Sequence, residues 1–153
     1  LSGSGKTTSS KLIKNKVLKN ALLLDGDLIR KHISHDLGYE MKDRVIQLNR
    51  ILGLCKICIA SDIFPICSSV YMNKKTVEEL NFLNIKVVKI ERSFEALKNM
   101  EIYKLKQNVF GLDLNYETDL KVDKILNKEK VNLYYDLKQL LSNFDIKTVS
   151  DKF

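Results

Sequence analysis

Short apolar runs alternate along this chain with longer stretches whose apolar positions recur every three or four residues. The first pattern suits buried strands and the second amphipathic helices. Ser9 to Lys19 is predicted to be a helix, and Ala21-Leu-Leu-Leu-Asp25 a short strand ending in acid, the form of a strand buried on both faces. Asp27 to Ser34 reads as a short helix, Leu37-Gly38-Tyr39 as a turn, Arg44 to Ala60 as a long helix and Ile63 to Ser68 as a second strand. Pro65 is awkward there, because proline cannot donate to a ladder. Lys74 to Leu83 is expected to be helical, Ile85 to Ile90 a strand, and Ser93 to Lys104 helical again. Gln107 to Glu117 reads as a loop, Lys121 to Leu126 as the last strand and Lys128 to Phe144 as a closing amphipathic helix. Such alternation predicts an α/β fold, a parallel sheet with helices on both faces. No repeat, linker or low-complexity block interrupts it, so residues 1–153 are expected to form a single domain.

The first residues sharpen this to a P-loop fold. Leu1-Ser2-Gly3-Ser4-Gly5-Lys6-Thr7-Thr8 lacks only the first glycine of the pattern G-x-x-x-x-G-K-[ST]. Gly3 and Gly5 can take positive φ and turn backbone N–H groups inward onto phosphate oxygens. Lys6 can reach the β- and γ-phosphates, and the Thr7 hydroxyl can hold Mg²⁺. The following helix would present its positive end to the same anion. ATP is thus the expected cofactor, on residues Ser2 to Thr8. A frayed Gly/Ser-rich terminus is the alternative, disfavoured by the helical pattern that follows at once. Because the chain opens inside this loop, the central strand that precedes it in P-loop folds is expected to be missing, and the piece alone not to be fully stable.

Composition narrows the partners. The net charge is +7, but the lysines are scattered without a basic run or aromatic interleaving, so no nucleic-acid partner is expected. No apolar run nears the ~18 residues of a membrane span, so no membrane partner is expected either. Cys55-Lys-Ile-Cys58 has redox-motif spacing, yet it falls late in an apolar-periodic helix, where buried small hydrophobes are the simpler reading. Three cysteines without a secretory pattern point to a reduced, cytoplasmic setting. His32 and His35 could meet a metal by spacing but lack an evident third ligand, so they are read as surface histidines at a helix end.

Asp25-Gly26-Asp27-Leu28-Ile29-Arg30 sits at the carboxyl end of a predicted parallel strand, where open α/β sheets bind ligands. Two carboxylates one residue apart cannot both be buried unpaired, and Mg²⁺ with an acceptor hydroxyl would satisfy them. The bland alternative, an acidic cap on the next helix, suits Asp27 alone.

From Leu1 to about Asn127 the sequence resembles the adenylyl-sulfate kinase family. The resemblance rests on the loop, on Leu24-Asp-Gly-Asp-x-x-Arg30, on Asp36-Leu-Gly-Tyr39 followed by Asp43-Arg44, and on Arg50-Ile51, Lys56 and Asn108-x-x-Gly111-x-Asp113. Family members transfer the γ-phosphoryl of ATP to the ribose 3′-hydroxyl of a nucleotide whose phosphate carries a second group. The resemblance implies that Lys6 and Thr7 serve ATP·Mg²⁺, that Asp27 accepts the hydroxyl proton, and that Asp25 lies near the metal. It further implies that Arg30 and Arg44 hold the acceptor's phosphate-linked group, with Gln47, where the family has asparagine, on the same substrate. A homodimer is left open.

Several positions depart from the family. Its serine after the third strand is Tyr71, which favours direct in-line transfer, and a helix arginine is Asn49. The lid looks shortened, leaving Lys98, Lys104 and Lys106 over the phosphates, with Asn108 on the substrate. The two phenylalanines that clamp the acceptor adenine are matched to Ser69 and Val109. A base–aromatic stack is worth ~1–3 kcal/mol. The sequence therefore leads us to expect cytidine diphosphoramidate, used by a capsule-associated branch, with adenylyl sulfate as the alternative and a non-catalytic nucleotide-binding regulator as a third. A GTPase is disfavoured by the absence of an Asn-Lys-x-Asp motif.

Overall fold

The computed structural model describes residues 1–16, 20–98, 100, 103–104, 117, 119–128 and 130–146. In chain order the elements are α1 (Lys6–Lys14), β1 (Ala21–Asp25), α2 (Gly26–His32), α3 (Met41–Ala60), β2 (Phe64–Ser68), α4 (Lys74–Phe82), β3 (Val88–Glu91), α5 (Phe94–Leu97), β4 (Asp123–Leu126) and α6 (Lys130–Asn143). β1 pairs with β2 in parallel, from Ala21 opposite Phe64 to Asp25 opposite Ser68. β3 pairs with β4 in parallel, from Val88 opposite Asp123 to Glu91 opposite Leu126. This is the expected α/β arrangement.

No strand among the described residues joins the two ladders. The edges of β2 and β3 instead line a common cavity of about 510 Å³, shared with Ile13, Leu52 and Leu140. Pro65 fits this arrangement. The Phe64 N–H donates to the Asn20 carbonyl at 2.8 Å, so the next nitrogen, that of Pro65, faces away from β1 toward the cavity, where no ladder partner is lost.

Two apolar clusters hold the layers. Leu24 and Ile29 pack with Ile51, Cys55 and Cys58 of α3, joining the first ladder to its helix. Ile90 and Ile125 pack with Leu133 and Leu137 of α6, joining the second ladder to the last helix. Cys55 and Cys58 are indeed buried core residues.

Element boundaries differ from the sequence expectation in an instructive way. Asp62, Asn84 and Asp145 all take positive φ just past helix ends. In each case the following isoleucine turns its N–H back onto the helix: Ile63 to Cys58, Ile85 to Leu80 and Ile146 to Leu141. Ile63 and Ile85, read as strand starts, therefore close α3 and α4, and β2 and β3 begin later. α1 starts at Lys6, not Ser9, because Gly5 at φ 104° already caps it, and it ends at Lys14, with residues 17–19 outside the described set. α3 starts three residues before Arg44, where the Asp43 carboxylate accepts the Glu40 N–H at 3.3 Å. Of the helix expected over Ser93 to Lys104, Phe94–Leu97 and residues 103–104 are helical. Residues 99, 101 and 102 lie outside the described set, as does most of the expected 107–117 loop.

Gly26 sits where β1 passes into α2, and a Cβ there would lie 2.8 Å from the Ser68 carbonyl. Gly26→Ala is therefore expected to force the two strand ends apart and to lower stability by ~1–3 kcal/mol. Urea denaturation should show a lower midpoint at unchanged slope.

Candidate active site

The loop before α1 has the backbone its glycines predict, with Gly3 at φ 75° and Gly5 at φ 104°. Gly5 is the N-cap of α1, so the N–H groups of the first helical turn face the space the loop encloses. Ser4 is fully buried, and Ser9 and Ser10 return their hydroxyls to the Gly5 and Lys6 carbonyls at 2.9 and 3.0 Å. Lys6 donates its ammonium to the Leu1 carbonyl. Burial lowers its pKa to about 8, with Asp27 and Asp25 pulling the other way.

The two carboxylates of Asp25-Gly26-Asp27 have different surroundings. Asp25 is buried and is the N-cap of α2, its Oδ1 accepting the N–H groups of Asp27 at 3.0 Å and Leu28 at 3.3 Å. Its Oδ2 accepts the Thr7 and Ser68 hydroxyls, both at 2.9 Å. Burial raises its pKa, but those hydroxyl and backbone donors outweigh this and hold the group below the usual carboxylate range. The helix cap considered for Asp27 thus belongs to Asp25. Asp27 is exposed at the mouth of the site. Thr7 Oγ1 and Asp25 Oδ2 form an adjacent pair of hard oxygens, a donor set that suits Mg²⁺ alongside nucleotide phosphates.

The residues expected on the acceptor side gather on one turn. Arg30 donates to the Gly38 carbonyl at 2.5 Å, and its guanidinium lies 4.8 Å from the centre of the Tyr39 ring. Arg44 donates to the Tyr39 carbonyl at 3.0 Å and lies 5.8 Å from the same ring. Burial, then the charge of Arg30, lowers the Arg44 pKa. Arg50 braces the turn from α3 through two hydrogen bonds to Asp36, at 2.6 and 2.8 Å. That pairing holds the Asp36 pKa down to about 2. Gln47 is buried and donates to the Gly26 carbonyl at 3.1 Å, so its nitrogen supports the Asp-Gly-Asp turn, while its Oε1 is buried without a hydrogen-bond partner among the described residues.

Ser69 follows β2 and donates its hydroxyl to the Tyr71 carbonyl at 2.9 Å, shaping the turn beside Gly26. Lys106, Asn108 and Val109 lie outside the described residues. Lys98 pairs with Glu95. His32 lies in the last turn of α2, and both it and His35 are exposed. Among the described residues no helix is long and apolar enough to cross a membrane.

Two site residues carry no signal in the sequence. Ser68 becomes visible only through the register that sets it opposite Asp25. Asn127 donates its side-chain amide to the Ser4 carbonyl at 2.7 Å across 123 positions, with no local signal at all.

Known proteins match this geometry. Residues 1–127 match the family described as adenylylsulphate kinase. An adenylyl-sulfate kinase of Halothermothrix orenii is 32% identical over 78 residues, 49% of this chain and 42% of that protein. One from Bacteroides thetaiotaomicron is 38% identical over 76 residues, 48% of this chain and 38% of that protein, so the chain spans about two-fifths of the length of these two relatives. Adenylyl-sulfate kinase 3 of Arabidopsis thaliana is 31% identical over 146 residues, 85% of this chain and 69% of the plant protein. The solved Mycobacterium tuberculosis APS kinase CysC, in complex with AMPPNP and APS, superposes with a TM-score of 0.81 at 18% identity, over 95% of this chain and 93% of that one, which shows a shared fold. The match takes in the phosphate loop, the Asp-Gly-Asp turn and the two-arginine turn together, and the chain belongs to the adenylylsulphate kinase family.

Proposed function

We propose that this chain is an ATP-dependent kinase acting on the ribose 3′-hydroxyl of adenylyl sulfate. The observation that carries this is the 2.9 Å contact between Thr7 Oγ1 and Asp25 Oδ2, which joins the ATP-side loop to the acceptor-side turn. Thr7 and Asp25 would hold Mg²⁺, which when bound neutralises charge on the β- and γ-phosphates. Lys6 places an ammonium on the transferring oxygens. Asp27, exposed beside them, orients the acceptor hydroxyl and takes its proton at the carboxylate. Phosphoryl transfer has a loose transition state, so positioning and charge stabilisation suffice without a covalent enzyme intermediate. A regulator that only binds nucleotide would need neither Asp27 nor its setting against Lys6. The reaction suits a cytoplasmic enzyme with free thiols, and Cys55, Cys58 and Cys67 are free cysteines.

The cytidine diphosphate derivative expected from Ser69 and Val109 has no support from the relatives, which are adenylyl-sulfate kinases. The preference is therefore expected to run toward adenine: kcat/KM for adenylyl sulfate should exceed that for cytidine diphosphoramidate by ~10-fold or more, the scale of one base stack. Steady-state assays of both acceptors decide it, and a ratio favouring cytidine overturns the choice of base.

Asp27→Asn should keep ATP affinity and lower kcat by ~10²–10⁴-fold, since the amide fills the space but cannot take a proton. Rapid-quench measurement of phosphoryl transfer, with ATP titrated in parallel, checks both halves.

The lowered pKa of Lys6 gives a pH signature. Below about pH 8 the free enzyme carries the ammonium that ATP needs, and above it that fraction falls. Bound phosphates restore the proton, so kcat at saturating ATP should hold to higher pH. Expected is a decline in kcat/KM for ATP above about pH 8, approaching ~10-fold per pH unit, with kcat flat over the same range. A kcat/KM that stays level to pH 9.5 would show that Lys6 is an ordinary lysine.

A further inference from the structure

Three side chains from the second half of the chain converge on three successive carbonyls of the phosphate loop. Tyr103 donates its hydroxyl to the Ser2 carbonyl at 2.8 Å. Arg92 reaches the Gly3 carbonyl at 3.5 Å, and Asn127 donates its amide to the Ser4 carbonyl at 2.7 Å. A trans peptide is planar, with its C=O and the next residue's N–H pointing in opposite directions. Fixing the carbonyls of Ser2, Gly3 and Ser4 on the outside therefore aims the N–H groups of Gly3, Ser4 and Gly5 inward, where phosphate oxygens would sit.

The donors are themselves anchored. The Asn127 N–H donates to the Glu91 carbonyl at 2.7 Å, extending the β3–β4 ladder by one bond. Its side-chain nitrogen lies 2.5 Å from where a Cβ on Gly5 would stand, so the amide packs directly under that glycine. The Tyr103 ring is nearly buried against Leu97 and Leu1. Both side chains spend these donors on the loop carbonyls, on the side opposite its N–H groups.

We propose that Asn127 and Tyr103 are positioning residues that hold the phosphate loop in its anion-binding form before the nucleotide arrives, an inference that rests on the loop binding ATP as described above. A glycine-rich loop without such restraint has to be ordered by its ligand, at a cost in affinity. With its carbonyls already engaged, that ordering is done by folding.

The test uses the full chain carrying Tyr103→Phe or Asn127→Ala. Each removes one donor, and each is expected to weaken ATP binding ~5-fold, the scale of one net hydrogen bond. Equilibrium titration with ATP·Mg²⁺ reads this without acceptor or turnover, so the result stands whether or not adenylyl sulfate proves to be the substrate. In steady state KM for ATP should rise while KM for the acceptor holds. Unchanged ATP affinity in both variants, or an equal rise in both KM values, overturns the proposal. Should Asn127→Ala not fold, Tyr103→Phe, which keeps its ring against Leu97, decides alone.

Discussion

A carboxylate withdrawn from water is stable as an anion only where donors take the water's place, and at Asp25 four do so. They come from three elements: the Thr7 hydroxyl in α1, the Ser68 hydroxyl at the end of β2, and two backbone N–H groups opening α2. The charge thus fixes the phosphate-loop helix, both strand ends and the start of the acceptor-side helix relative to one another. Gln47 adds a fourth element by holding Gly26 from α3. Removing any one donor leaves the others facing a less satisfied anion, which is why this point governs the geometry around it more than any apolar contact does.

The two acids of one short motif take different work from that asymmetry. Asp25 is held by hydroxyl and backbone donors, which favours its ionised form and fixes the charge in place. Asp27 is exposed, where the proposed acceptor hydroxyl would meet it. The Lys6 ammonium feels both, yet burial dominates and lowers its pKa.

How far the sequence reaches can be judged from particular residues. Gly3, Gly5 and the Asp-Gly-Asp turn were legible because local chain geometry demands those residue types at that spacing. Alternating patterns placed every described strand, with errors confined to ends. The late starts of β2 and β3 share one physical origin, since Ile63 and Ile85 satisfy a strand pattern while their N–H groups are spent closing the helix before them. Pro65 looked misplaced only because the direction of its nitrogen depends on which neighbour β2 has. Ser68, Tyr103 and Asn127 were invisible because each acts across more than 40 residues, through register and tertiary approach, on ordinary residue types.

The acceptor turn shows the same logic at longer range. Arg30 and Arg44 both lie over one tyrosine ring, and the proximity of Arg30 disfavours the charge on Arg44 beyond what burial does. Two like charges are held together by the turn carbonyls they bond, and the Arg50–Asp36 pair keeps that turn in place from outside. An anionic group met by both guanidiniums would offset that mutual repulsion. In the proposed reaction the acceptor's charged phosphate-linked group would supply it. Specificity for the modified nucleotide over a plain nucleoside would then come from discharging a repulsion already built into the fold, rather than from the base alone.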